Sequence, residues 1–549
     1  MRAGIVRRVA RRPLRVLFMA GGPQYYLRQY ASLVSELADR GHQVHLAFRV
    51  AKGDLPESAK LALSETGVTF GFAPERGALD GWRPVAWLAR ALADLARYTH
   101  PRYERAPVLR QRMTEKIISH LGKSSELEPA GRRRALRLAR RLASTTDAAL
   151  SERVIRLAAG LESAIPTSRA IDGYIRGRAP DVLLVTPLVN RASEQVDFLK
   201  SARRLGIPTG VCVASWDNLT NKGLLRFVPE RVFVWNEVQR REAVELHGIP
   251  AERVVATGAQ LFDEWFERRP SRPREEFVRT VGLDPAEPYV LYVCSNPAMT
   301  EVAESEFVLR WIEALRSSGD ERLRRLGIVV RPHPNDAGQW RDVDLEGFGN
   351  AVVWPREGKL PVTREARSDF FDSLAHSTAV VGINTTAMIE GAIVGKSVLT
   401  VLAAEFAQES TLHFHYLLAE NGGFLHVASS LDWHVPQLAH VLGEDALGAE
   451  RRRRFVESFV RPHGLERPAT PILADAVEQL AELPAGAPAR AGLPLRTVLT
   501  LEASLTSATI LIARLLGRVQ GLPATRGLRR LRRRFGTKAR LLALLRPRS

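Results

Sequence analysis

The sequence predicts an α/β protein of two Rossmann-like domains, with a helical insertion in the first and a basic helical tail at the end of the chain. Three observations predict it. Short β-branched runs alternate with helical stretches on both sides of a break at Pro270-Ser-Arg-Pro273, and such alternation implies parallel, doubly wound sheets. Between residues 82 and 178 the strand-like runs stop and Arg, Ala and Leu recur instead. At 549 residues the chain is also long enough for two or three domains, each with its own core.

The bulk composition narrows the function classes. A hydrophobic content of 45% and a charged content of 25% are ordinary for globular protein, but a formal charge of +19 is not, and it points to an anionic partner. The two cysteines, Cys212 and Cys294, each lie inside a strand-like run. They support neither a disulfide framework nor a cysteine metal site, and they predict a reducing compartment. Residues 1–12 lack the apolar stretch of a secretory signal. No window of about 18 uncharged apolar residues occurs, so no transmembrane helix is expected.

Taken in order, residues 15–20 (RVLFMA) read as a buried strand, followed by Gly21-Gly22-Pro23, a helix to about residue 40, and a second strand at 44–48. Gly21 and Gly22 allow close backbone approach to a ligand but do not complete a dinucleotide fingerprint; a tight turn with positive φ explains them equally. A third strand follows at 68–72, then the insertion at about 82–178, whose segment 131–141 (GRRRALRLARR) gives a helix a strongly basic face. No nucleic-acid motif accompanies it, so a solvated or lipid-facing helix is expected and no nucleic-acid partner.

Strands resume at 181–186, 209–214, 231–235 and 254–257. The second of these runs into Ser215-Trp216-Asp217-Asn218-Leu219-Thr220-Asn221-Lys222-Gly223, a loop beyond a strand end that carries an aromatic, an acid, amides and a lysine. Asp217 is the candidate general base there; an Asx-turn closing the loop explains it as well. After the linker, strands at 289–294, 327–330, 351–354, 379–383 and 397–402 alternate with helices at 301–318 and 368–376.

Two motifs in this second half carry chemistry. The strand at 327–330 stops at Arg331-Pro332-His333-Pro334, where two prolines limit how the histidine can be aimed, at the strand end where open α/β sheets bind ligands. The unit 379–402 is a strand, a turn at Asn384, a helix beginning at Thr385-Thr386, and a second strand, with Gly395 at the expected helix C-cap. Free amides and the positive helix end suit a diphosphate, the threonines add donors, and Glu390 one turn on suits a ribose diol. An ordinary βαβ unit with a Thr N-cap shows the same residues. Asn296 lies in a third strand-end loop, Ser295-Asn296-Pro297. His413 and His415 are candidate cleft residues without a third ligand at metal spacing, so no metal site is expected.

Together His333-Pro334, Thr385-Thr386 and Glu390 resemble the nucleotide-binding half of GT-B glycosyltransferases. They are most like polysialyl- and Kdo-transferases and CDP-glycerol glycerophosphotransferases of bacterial surface-polymer synthesis. The resemblance spans about residues 15–483, with only the C-terminal motifs specific, and nucleotide-sugar 2-epimerases share the half-fold. It implies transfer of a sugar or polyol-phosphate from a nucleotide-sugar or CDP-polyol donor to a lipid-linked or polymeric acceptor, with no cofactor and no essential metal. His333 and Arg331 would neutralise the leaving phosphate, Asn384, Thr385 and Thr386 would hold it, and Glu390 would take the ribose. Gly21, Gly22, Trp216 and Asn218 would face the acceptor.

The domain boundaries expected are 14–270, 271–460, a helix crossing back to the first domain within 461–488, and a tail at 489–549. From Pro523 the tail holds ten Lys/Arg and no acid, with leucines and a phenylalanine on one side, a pattern that predicts attachment to an anionic membrane surface. The expected location is the cytoplasmic face of the inner membrane. Two rival readings stay open. A 2-epimerase-like enzyme would need acid/base carboxylates in the cleft, and a non-catalytic membrane-binding protein would leave the paired strand-end motifs without a role.

Overall fold

A computed structural model describes residues 12–487 apart from 23–25, 27, 50–67, 78–79, 126, 128, 191–192, 297–302 and 444. The basic tail therefore lies outside the described residues, as does Pro23. The described chain forms two parallel sheets, each flanked by helices, in the GT-B arrangement of two Rossmann-like domains.

The first sheet holds seven strands: β1 (Arg15–Ala20), β2 (Gln43–Arg49), β3 (Thr69–Ala73), β4 (Val182–Val185), β5 (Thr209–Cys212), β6 (Arg231–Val234) and β7 (Val254–Ala256). Their order is β3-β2-β1-β4-β5-β6-β7, so the winding reverses between β1 and β4. The second holds β8 (Tyr289–Val293), β9 (Gly327–Arg331), β10 (Ala351–Val353), β11 (Ala379–Gly382), β12 (Ser397–Val401) and β13 (His426–Ala428), in the order β10-β9-β8-β11-β12-β13. Here the reversal falls between β8 and β11. Central strands such as β4, β8, β9 and β12 are buried along their whole length, because helices cover both faces. That burial is why the sequence shows unbroken apolar runs rather than alternation. Strand β13 was not among the strands expected from the sequence.

The insertion comprises the helices Trp82–Thr99, Pro107–Lys123, Pro129–Ala143 and Ala148–Ala164, and Arg169–Arg178 then leads into β4. Its inner side is tied down by buried charge. Arg90 donates to Glu162 at 2.7 and 2.9 Å and to Asp197 at 3.1 Å, and Arg76 also donates to Asp197. Arg97 is buried and donates to the backbone carbonyls of Leu219, Thr220, Lys222 and Gly223, fastening the insertion to the loop after β5.

Helix Ala469–Ala481 packs on the first domain. Leu473, Ala474, Val477 and Leu480 join Val16, Phe18, Leu33 and Val34 in one core, and Arg40 reaches Asp475 at 2.6 Å and Glu478 at 2.8 Å. Gly210 marks how close the packing is: a Cβ there would lie 2.8 Å from Leu184 and Leu480 side-chain carbons. Another core joins the domains, placing Trp216 and Trp235 of the first with Phe370 and Met388 of the second. Among the described residues no helix is long and apolar enough to cross a membrane.

Candidate active site

The carboxyl ends of both sheets face one cleft of about 270 Å³. Arg331 is the last residue of β9, and its guanidinium is buried between the faces of Trp354 (5.5 Å) and Phe370 (4.9 Å). Its Nη1 has no hydrogen-bond partner among the described residues. Burial lowers its pKa to about 10, against the opposing pull of Asp369 and Glu390, so it remains a cation at neutral pH. A buried cation with an unsatisfied donor is costly unless an anion completes it.

His333 follows at the cleft wall. Its Nδ1 accepts from the Asn335 amide at 3.1 Å, which leaves Nε2 as the donor. Burial, helped by Arg28, holds the imidazole down at about 4. The free protein thus presents a neutral N–H donor, and the charge that meets an anion comes from Arg331, Arg28 and Lys359 instead. The loop bearing Lys359 packs on the back of the Pro-His-Pro turn. Gly358 adopts φ +63°, and a Cβ on it would lie 2.9 Å from Ala337 and 3.2 Å from the His333 carbonyl.

Opposite, helix Thr386–Ile393 begins at Thr385, whose side chain makes no capping bond, so the first amides of the helix stay open to the cleft. Asn384 is fixed from both sides: its amide donates to Ser295 Oγ at 3.0 Å and its side chain to Thr411 Oγ1 at 3.2 Å. Ser295 is held in turn by buried Glu304, which accepts from the Ser295 amide at 2.7 Å and from Tyr292 at 3.0 Å. Burial raises Glu304 to about 7. Glu390 sits one turn into the helix, buried, with no hydrogen-bond partner among the described residues. Burial raises it to about 7, while Arg28 and Arg331 draw it down. Asn296 lines the same cleft.

The first domain contributes the loop after β5. Trp216 Nε1 donates to Thr386 Oγ1 at 3.2 Å, and its ring meets His413 edge-on at 4.5 Å. His413 accepts from Asn221 at 2.9 Å, and burial holds it at about 4. Asp217 lines the cleft 3.5 Å from Lys222. Burial pushes its carboxyl up, but Lys222 and His413 outweigh that and keep it below the usual range. Asp217 is therefore ionised and only a weak base.

The structure thus brings His333, Arg331, Asn296, Asn384, Thr385, Thr386, Glu390, Trp216, Asp217 and His413 together. It does not bring the other four to this cleft. His415 turns away, its Nε2 on the Glu409 carbonyl at 2.7 Å. Asn218 accepts from the Ala214 amide at 3.2 Å and borders an adjoining cavity, where it holds the loop. Gly21 lines a separate cavity under the insertion, and among the described residues a Cβ on Gly22 would meet nothing within 4 Å. Sequence reasoning missed Arg28, Lys222, Lys359 and Glu304. Lys222 stood in a loop already singled out; Arg28 and Lys359 had no local signal, because only the fold aims them at the cleft. Among the described residues no group of three or more His, Cys, Asp or Glu is placed to hold a metal ion.

No protein-family model matches the sequence, and no curated protein matches it. Solved structures with a similar fold include the glycotransferase of kitacinnamycin, at 14% identity over 86% of this chain and 100% of that one, with a TM-score of 0.46. The UDP-GlcNAc 2-epimerase from Neisseria meningitidis bound to UDP-GlcNAc is similar at 10% identity over 85% and 100% of the two chains, with a TM-score of 0.48. A glycosyltransferase from Rickettsia africae is similar at 9% identity over 86% and 99%, with a TM-score of 0.48. At these identities the likeness is one of fold alone.

Proposed function

We propose that this chain is a metal-independent transferase that moves a sugar or polyol-phosphate from a nucleotide-activated donor to a lipid-linked or polymeric acceptor of the cell surface. The observation that carries the reading is the unsatisfied, buried Arg331 guanidinium facing an uncapped helix N-terminus, with the Glu390 carboxyl one turn further on. The diphosphate lies between Arg331, the His333 Nε2–H, the Thr385 and Thr386 hydroxyls and the first amides of that helix, and Glu390 accepts from the ribose hydroxyls. The acceptor oxygen forms its bond to the transferred group as the bond to the leaving phosphate breaks. The electron pair leaves with the nucleotide, and Arg331 and the helix end stabilise its charge. Asp217, on the first-domain side, receives the hydroxyl proton; as a weak base it does so late, once bond formation has made that proton acidic. Nucleotide release stops the reaction running backwards on the same donor. No cofactor takes part, and the enzyme works on the cytoplasmic membrane face.

The test is incubation with UDP-, CMP- and CDP-activated donors, with and without EDTA, followed by chromatography for free nucleotide and for altered donor. Free nucleotide that persists in EDTA is expected. Conversion of the donor to its 2-epimer would identify an epimerase, and loss of turnover in EDTA would overturn the metal-free scheme.

A further inference from the structure

A second cavity, of about 380 Å³, lies under the helical insertion and has no part in the donor site described above. Its position follows from topology. The winding of the first sheet reverses between β1 and β4, and open α/β sheets hold ligands in the crevice beyond the carboxyl ends of their strands at such a reversal. Gly21 after β1, Arg49 at the end of β2, Glu75 after β3 and Glu194 after β4 all line it. The insertion roofs it, with Arg83 and Trp87 from helix Trp82–Thr99 and His120 and Lys123 from helix Pro107–Lys123. Its size falls within the ~300–1,000 Å³ of small-molecule sites.

The cavity and the donor cleft are distinct spaces. A space of about 370 Å³ between the two shares Asn190 with the insertion cavity and shares Arg28, Asp217, Lys222 and Thr386 with the cleft. A chain-like molecule seated under the insertion would have to cross this space, past Asp217, to reach the donor.

We propose that this cavity holds the acceptor, and that it selects a glycan carrying negative charge. The proposal rests on the transferase reading above. Arg49 and Lys123 are exposed at the mouth and Arg83 lies deeper. Glu75 offsets part of this charge, at 3.3 Å from Arg49 and 3.9 Å from Arg83, whereas Lys123 has no ion-pair partner among the described residues. Arg76 below is already spent on Asp197 and Asp80. Glu194 is the second carboxyl, and its Oε2 is buried without a hydrogen-bond partner among the described residues. Burial and Glu75 push that carboxyl up against the pull of Arg49 and Arg83, and Arg83 lies 4.0 Å from its other oxygen. Trp87, half-buried with the His120 ring 5.2 Å away, offers an aromatic face to a sugar ring. Cations at the rim, an aromatic wall and one carboxylate oxygen left to accept from hydroxyls are what an acidic sugar or a phosphate-bearing polyol needs; a neutral glycan would leave the rim charges unused.

Calorimetry on the full-length protein tests this with three probes: a glucuronate-containing tetrasaccharide, a glycerol-phosphate oligomer and neutral maltotetraose. One of the two anionic probes should bind at least about tenfold more tightly than maltotetraose, and which one does so tells a carboxylate acceptor from a phosphate acceptor. Lys123→Ala and Arg49→Ala, both exposed and so safe for folding, should each weaken that binding about tenfold and leave nucleoside diphosphate affinity unchanged. Equal affinity for maltotetraose, or unaltered binding in both variants, overturns the proposal. So does failure of both anionic probes in a protein that still binds nucleoside diphosphate. If nucleoside diphosphate itself does not bind, the transferase reading falls first.

Discussion

At the scale of single residues, the donor cleft is built from groups that the empty fold leaves unsatisfied. Among the described residues Arg331 lacks a partner for Nη1, and Glu390 is buried beside it without a hydrogen bond. Both are costs that a bound nucleotide would relieve. His333→Ala should abolish transfer while circular dichroism and melting temperature stay near wild type, since the ring lines a cleft rather than a core; a folded variant with full turnover would remove His333 from the chemistry. Glu390→Gln should weaken nucleoside diphosphate binding by about 1–3 kcal/mol, the range for a hydrogen bond to a charged group. The same substitution should stabilise the free protein at alkaline pH. Because the folded carboxyl is raised to about 7, stability is full below the ordinary carboxyl range and declines as pH climbs toward that value. The gain of Glu390→Gln should thus be absent near pH 4 and complete above about pH 7, as read from melting curves across that range. A gain that does not change with pH would contradict the assignment.

At the scale of elements, the loop after β5 owes its shape to the insertion. Arg97 donates to four of its carbonyls and to Tyr103 Oη at 2.5 Å, and Asp94 accepts from the Leu224 amide at 2.8 Å. Arg97→Ala should cost about 3–5 kcal/mol, the range for removing one partner from a buried charged cluster, and should lower turnover although Arg97 lines no cavity described above. Denaturant titration and steady-state rates measure the two effects; an active variant of wild-type stability would sink the idea. The neighbouring cluster sets an acid limit. Burial alone would raise Glu162 and Asp197, but Arg90 outweighs it, with Lys200 helping at Glu162 and Arg76 at Asp197, so both carboxyls sit well below their usual range. Their contribution is therefore present above the ordinary carboxyl pKa of about 4 and lost as pH falls below it.

At the scale of the whole molecule, the formal charge of +19 concentrates toward the end of the chain, where residues 523–549 add ten Lys/Arg and no acid. A chain ending at Leu522 should lose salt-sensitive sedimentation with anionic liposomes and keep turnover on a soluble acceptor fragment. Each basic residue near such a surface contributes roughly 1 kcal/mol at most, and several act together. If the truncated protein still sediments, the basic face at 132–141 is the contact; if neither form does, the membrane reading falls.

The sequence by itself determined the class of fold, because apolar runs separated by helical periods leave a parallel sheet as the only way to bury them. It also singled out two candidate motifs: prolines around His333 and the Asn384–Glu390 spacing are local features, read within one turn or one strand end. Only the tertiary structure decided the charge states and the company of these groups. Glu390 and His333 are shifted by burial that no local pattern records, and Arg28 reaches the cleft from a helix some 300 residues away in sequence. The insertion shows the same division. Its helices are legible in composition, yet that they roof a cavity at the β1–β4 reversal depends on buried ion pairs between residues about 100 apart, such as Arg90 with Asp197. Short-range periodicity comes from backbone geometry and is written along the chain; cavities and pKa values come from which distant side chains fill the same space.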